Sequence, residues 1–283
     1  MTETRPSPVA ATAKAVFIEL RPRGLGFAAV LKSPLLQKTA IPSRFEFYPE
    51  FRSIIILIMK NLTKRAFGGL FFLLVVMAAF IFLPAWTFNY WQAWIFLTIF
   101  FISVLAITIY LMKMDTALLE RRVNAGPGAE KEVIQKIIQF VASIAFIAIF
   151  ILSALDHRFV WSSVSGYIAI IGDVFVAVGL LAVFFVFKEN TFTSGTIEVG
   201  AEQKVISTGL YGIVRHPMYA GAFIMLIGVP LALGSLWGLL AVALLVIAII
   251  VRLLDEEKYL SKNLPGYLEY RKKVRYRLVP FVW

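Results

Sequence analysis

Between two long apolar segments lies Gln203–Gly221, reading QKVISTGLYGIVRHPMYAG. Arg215 and His216 stand immediately before Pro217, which opens a helix readily because its missing N–H would be an orphan there anyway. Tyr219 and Gly221 follow within the first turn. Ionisable groups at a helix mouth in a membrane are functional candidates. A second polar group closes the last apolar segment, where Arg252, Glu256 and Leu260 fall at i, i+4 and i+8 on one helical face, with Asp255 and Tyr259 beside them. The rigid donor fork of Arg252 suits a carboxylate, and Glu256 can accept hydrogen bonds from a polar cofactor. The plainer reading is a boundary arginine that snorkels to headgroups and pairs with a glutamate. Glu257 and Lys258 are expected to face solvent. A third group, Leu264–Pro280, sets Tyr267, Tyr270 and Val274 along one face of a short helix with basic residues opposite. Such a helix lies on anionic headgroups and can also cover a site.

The surrounding chain is membrane-like. Of its 283 residues 60% are hydrophobic, and the mean hydropathy is +0.82, well above soluble norms. A bilayer core takes about 20 apolar residues as helix. Runs of that kind are Ala66–Trp86, Trp91–Met112, Val133–Leu155 and Gly166–Phe187. Two shorter ones, Pro217–Leu233 and Leu236–Val251, are parted only by Gly234 and Ser235 and predict a tight helical hairpin. The expected fold is therefore all-α and polytopic, with about six transmembrane helices. The net charge of +11 gathers in short segments flanking the apolar runs. That distribution orients a membrane protein rather than forming a nucleic-acid patch. Lys60, Lys64, Arg65, Arg121, Arg122, Lys188 and the Arg271–Arg277 cluster fall on one side, which predicts cytoplasmic termini; the compact, cysteine-free chain suggests a bacterial-type inner membrane. On the other side Asp156 and His157 read as ordinary loop residues. With no cysteine there is no thiolate site, and two histidines make a His-based metal cluster an unpromising reading.

Residues 1–58 are expected to form a poorly ordered extension, or an upstream start-codon artefact, since their longest apolar run, Ser53–Met59, is too short to span. Residues 59–187 would form a four-helix membrane region and 188–283 the catalytic region. Within the latter, the polar loop Lys188–Val214 is too long for a simple connector. It carries Glu189, Asn190, Thr191, Thr193, Ser194, Glu198, Gln203, Ser207 and Thr208.

The ordered pieces Gly-Leu-Tyr, RHPMYAG at 215–221, a helical hairpin, DEEKYL at 255–260 and GYLEYRKKV ending at Val274 resemble the isoprenylcysteine carboxyl methyltransferase family of integral-membrane enzymes. The resemblance covers roughly Phe187–Pro280. It implies an S-adenosylmethionine pocket without a Rossmann domain. Carried over, Gln203, Val205, Ile206 and Tyr211 would line that pocket, and His216, Pro217, Met218 and Tyr219 would wrap the cofactor. Glu256 would bind it, and Arg252, with Arg215, would serve the reacting group. Eukaryotic members tend to have His where this chain has Gln203. Tyr211 and Tyr219 also read as interfacial aromatics, and His216 as a local cap.

Methyl transfer from a sulfonium needs orientation more than covalent help. The expected acceptor is a lipophilic small molecule or lipidated substrate, most simply a carboxylate such as a prenylcysteine-like group held by Arg252. Three alternatives stay open. An amine or phospholipid acceptor would need a proton acceptor, for which Glu256 or Glu257 would serve. A nicotinamide-dependent sterol or enone reductase has a similar C-terminal layout. A non-catalytic scaffold or small transporter is the third, although Asp173 is the main ionisable residue inside the spans.

Overall fold

The structure is a computed structural model that describes residues 49–283, except 126–127, 129, 131, 194, 198 and 200–202, with side chains from Asn61 onward. Most of the expected extension, residues 1–48, and the loop residues Ser194 and Glu198 lie outside the described residues. The chain is already helical from Pro49. Among the described residues there are eight α-helices: α1 (Pro49–Ala85), α2 (Trp91–Met114), α3 (Thr116–Val123), α4 (Val133–Phe159), α5 (Gly166–Glu189), α6 (Pro217–Ala232), α7 (Gly238–Asn263) and α8 (Tyr267–Lys273). A 3₁₀ turn at Gly209–Gly212 precedes α6. Among the described residues there is no strand.

The protein is an integral, polytopic membrane protein. Five helices are long and apolar enough to cross a bilayer: Asn61–Ala85 within α1, then α2, α4, α5 and α7. Their outward faces carry Phe71, Phe72, Phe140, Leu181 and Leu244, all exposed, as lipid-facing positions should be. The inward faces meet around Met77, Ile81, Phe96, Ile149, Phe150, Val176, Val229 and Leu233. The sixth expected span, α6, has only 16 residues, about 24 Å of helix. Its partner in the hairpin is longer than the sequence suggested: α7 runs unbroken through Val251 to Asn263, so Arg252, Glu256 and Glu257 sit on a continuation of the apolar helix.

The most extensive helix pair is α5 against α6, and glycine makes it possible. A Cβ on Gly172 would lie 2.2 Å from the Ala232 nitrogen, and one on Gly228 would lie 2.6 Å from the Gly172 carbonyl. Gly179 and Gly221 meet in the same way about two turns along each helix. Helices in lipid have no hydrophobic drive toward one another, so close backbone packing through small residues has to supply it. The short α6 is thereby held along α5, and the RHP segment at its mouth is fixed.

At the far end of the hairpin, Asp156 and His157 are not ordinary loop residues. They belong to the last turn of α4, and Asp156 is buried. Its carboxylate accepts from the Ser162 amide at 2.7 Å, the Ser162 hydroxyl at 2.6 Å and the Ser235 hydroxyl at 2.6 Å, with the Trp237 amide at 3.5 Å. His157 stacks on Tyr90 at 3.7 Å between ring centroids, and the Tyr90 hydroxyl donates to the Leu233 carbonyl at 2.5 Å. In sequence Asp156 looks like a loop charge, because Ser162 and Ser235 lie 6 and 79 residues on. Here the serines are the donors that let it be buried.

Candidate functional site

A single cleft opens at the end of the bundle where α6 begins. Its walls carry Gln203, Val205, Ile206 and Tyr211 from the loop, Arg215, His216, Pro217, Met218 and Tyr219 from the RHP segment, and Glu256 from α7. All nine residues expected to hold a cofactor therefore face one space, and Arg215 borders it. The wall is completed by Asn190, Phe192 and Thr193 after α5, Leu260 and Leu264 near the end of α7, and Tyr267 and Tyr270 of α8. The apolar face of α8 packs there, burying Tyr267, Tyr270 and Val274 against Val199, Val205 and Leu260. Arg252 is not on this wall.

Glu257 organises the surroundings. Expected to face solvent, it is 4% exposed. One carboxylate oxygen accepts from Arg215 Nε at 2.6 Å and lies 3.3 Å from His216 Nε2; the other accepts from Arg277 Nε at 3.0 Å. The reason is periodic: Ala241, Leu245, Ala248 and Leu253 mark the buried stripe of α7, and Glu257 continues it one turn past Leu253. Lys258 does project outward. Arg215 spends its remaining reach on the Val274 and Arg275 carbonyls, at 3.0 and 2.8 Å. The backbone repeats the tie, with Arg215 and His216 amides donating to the Tyr276 and Arg277 carbonyls at 2.9 and 3.0 Å. His216 sits at the N-cap position of α6 but its side chain makes no cap bond; it turns to Glu257 instead. Thus the RHP segment is strapped to the chain after α8.

Inside the cleft, the Tyr219 hydroxyl donates to Glu256 Oε2 at 2.8 Å. The Asn190 amide donates to the Tyr211 hydroxyl at 3.0 Å, which gives Asn190 the placement that its loop context could not. Burial pushes the Tyr211 phenol up to about 12, so it stays a neutral hydrogen-bonding group at physiological pH. Tyr270 braces the 3₁₀ turn by donating to the Tyr211 carbonyl at 2.8 Å.

Arg252 lies behind the wall, between the Tyr219 hydroxyl, which it neighbours, and the connection between α3 and α4. Its Nη2 donates to Glu130 at 2.6 Å and to the Gly195 carbonyl at 2.8 Å, and its Nη1 to Gln135 at 3.0 Å. Glu130 is itself 5% exposed. The donor fork foreseen for a carboxylate does hold one, from 122 residues away in the same chain.

Two polar atoms in the wall are left over. Thr193 Oγ1 and the Tyr267 hydroxyl are both buried and have no hydrogen-bond partner. A buried hydroxyl without a partner costs about 1–3 kcal/mol, so each calls for a ligand or a water. Glu256 is the carboxylate on the wall, with Lys204 the lysine there; Arg215 is neutralised by Glu257. The cleft thus offers free hydroxyls, aromatic faces and a carboxylate, a set that fits a cationic, nucleoside-bearing ligand such as S-adenosylmethionine.

Sequence reading missed α3 altogether. Asp115 ends α2 and caps α3 by accepting from the Leu118 amide at 2.9 Å, while Leu118 and Leu119 bury. The Asp-Thr-Ala-Leu-Leu-Glu run is a capped amphipathic start, hidden because it follows a long apolar helix directly. The Arg122 guanidinium on this helix lies over the Phe187 ring, 4.6 Å from its centroid, and its Nη2 is 2.9 Å from Met218 Sδ on the cleft wall.

Residues 167–265 match the family model for phospholipid methyltransferases. The match begins inside α5 and ends just past α7, so it takes in the glycine-packed helix pair, the RHP segment and the Glu256–Glu257 pair. A stretch of 91 residues is 32% identical to the Delta(14)-sterol reductase of Mus musculus. It amounts to 31% of this chain and 22% of that protein, so the chain spans about a fifth of the curated relative it matches.

Proposed function

We propose that this protein is an S-adenosylmethionine-dependent membrane methyltransferase whose acceptor is a lipid carrying an amine headgroup. The observation behind the reading is the convergence of Gln203, Tyr211, His216, Tyr219 and Glu256 on one cleft that also presents two partnerless hydroxyls. The family-model match over the same segment supports it. When bound, S-adenosylmethionine supplies an electrophilic methyl group. The residues here bind and orient: Glu256 balances positive charge, Thr193 and Tyr267 take hydrogen bonds, and the loop and α8 keep water out. Arg215 is a positioning residue, since its work is to hold Glu257 and the C-terminal strap.

The acceptor follows from where the cations go. The two arginines foreseen for a carboxylate acceptor, Arg252 and Arg215, are both neutralised by carboxylates of the chain. An amine acceptor needs a base, and Glu256, bonded to Tyr219, stands on the wall to take its proton. With the Lys- and Arg-rich segments cytoplasmic, the cleft opens at the inner leaflet, where such lipids are at hand.

The similarity to a sterol reductase favours a second reading, an NADPH-dependent reductase. The two differ in charge, because NADPH brings several phosphates and the cleft wall brings a carboxylate. Calorimetry on detergent-purified protein with S-adenosylhomocysteine and NADPH decides between them. Micromolar binding of the homocysteine adduct, lost in Glu256→Ala, supports methyl transfer. Binding of NADPH alone moves the chain to the reductases.

A further inference from the structure

Arg122 is a half-buried cation that the cleft's own ion pairs do not account for. Arg215 and Arg277 share Glu257, and Arg252 has Glu130. Among the described residues no carboxylate lies within ion-pair distance of Arg122. Its Nε is buried without a partner, its Nη2 meets only the soft sulfur of Met218, and its face rests on Phe187. Thioether and ring are weak partners for a guanidinium that burial already disfavours. Burial lowers its pKa to about 10, so it remains charged at neutral pH.

Its position is as informative as its chemistry. On one side stands the cleft, through Met218, with Tyr211, Tyr219 and Glu256 near enough to act on its charge. On the other side lies an apolar cluster of Leu62, Ala66, Leu111, Leu118, Leu119 and Phe187, formed between α1, α2, α3 and α5. A lipid whose chains lie along the partly buried residues packed against that cluster, such as Tyr110, Val123 and Val183, and whose amine enters the cleft must pass an anionic group by this point.

We infer that Arg122 binds the phosphodiester of the lipid acceptor, on the side of Met218 away from the cleft. This rests on the methyltransferase reading for the identity of the amine, and on the geometry alone for the anion. Arg122 would supply the counter-charge that fixes headgroup depth, a specificity role distinct from the cofactor contacts. A guanidinium is suited to it, since its fork meets two phosphate oxygens at once.

The test uses the full chain in detergent. Native mass spectrometry measures retained phosphatidylethanolamine against a long-chain primary amine without phosphate, for the wild type, Arg122→Gln and Arg122→Lys. Calorimetry with S-adenosylhomocysteine confirms the fold of each variant. The wild type is expected to prefer the phospholipid at least tenfold. Arg122→Gln should erase that preference with cofactor affinity within twofold, and Arg122→Lys should restore part of it. A preference unchanged in Arg122→Gln, or a wild type with none, overturns the inference. Turnover separates the two proposals: a preference that depends on Arg122 in a protein that methylates neither lipid keeps the phosphate site and removes the methyltransferase.

Discussion

The α6–α7 hairpin is fastened at each end by one buried carboxylate, and the two fastenings differ in kind. Asp156 takes only neutral donors, two serine hydroxyls and backbone amides, all from the turns beside it. Glu257 takes Arg215, His216 and Arg277, which come from before α6 and after α8. The first joins the turn after α4 to the turn between α6 and α7, 79 residues on. The second gathers the segments before α6 and after α8 around the cleft. Neutral donors suffice where the chain has only to be held, whereas the cleft end is assembled from charges, and removing one strands the others.

The largest effect is therefore expected from Glu257→Ala, which leaves Arg215 and Arg277 without a carboxylate. Breaking a buried pair this way costs about 3–5 kcal/mol. Thermal unfolding in detergent should come far earlier, and S-adenosylhomocysteine binding should vanish. Glu257→Gln, which keeps the shape and some hydrogen bonds, should fall between. If Glu257→Ala unfolds with the wild type, the contrast between the two ends is empty. Next in size is Arg252→Met, which strips Glu130 of its ion-pair partner and leaves it the Gln139 and Ile197 donors. Because Arg252 is partly exposed, about 2 kcal/mol is a fairer expectation. Hydrogen exchange should show the segment around Gly195 and the start of α4 opening, with the cleft end of α6 still protected.

Asp156→Ala sharpens the comparison from the other side. It orphans neutral donors in place of charges, for about 1–3 kcal/mol. The unfolding temperature should drop while affinity for S-adenosylhomocysteine stays within about twofold. A loss of binding as deep as that of Glu257→Ala would mean that the hairpin transmits strain along its length, and the two ends would not be separable.

These contrasts also explain what the sequence could and could not reveal. Six apolar segments and a hairpin were legible because lipid demands long uninterrupted helices. The RHP segment and its neighbours were legible because half of that cleft wall falls in one short stretch, from Gln203 to Tyr219. Glu256 and Glu257 are adjacent, and only the partners decide which turns inward: Arg215 and Arg277 are 42 and 20 residues away. The buried stripe of α7 did point to Glu257, but the polar run DEEK reads as the helix leaving the membrane. The direction of Arg252 was out of reach for the same reason, since Glu130 belongs to a different connection. Asp156 needed Ser235, 79 residues on, before its burial made sense. Charges that pair across the bundle leave no periodic trace.

The smallest expected effect is the most diagnostic for the cleft. The Tyr267 hydroxyl is buried on the wall and bonds to nothing among the described residues, whereas the Tyr270 hydroxyl next to it braces the 3₁₀ turn. Tyr267→Phe removes a desolvated group without breaking a contact, so stability should hold or rise slightly. Tyr270→Phe removes a made bond and should lower stability by about 1 kcal/mol. If a cofactor uses the Tyr267 hydroxyl, the first variant should weaken S-adenosylhomocysteine binding severalfold, as a net hydrogen bond of about 0.5–1.5 kcal/mol implies. Calorimetry and unfolding on the two variants thus separate a hydroxyl kept for the ligand from one kept for the fold. Equal affinity in Tyr267→Phe and the wild type would place the ligand elsewhere along the wall, toward Thr193 and Asn190.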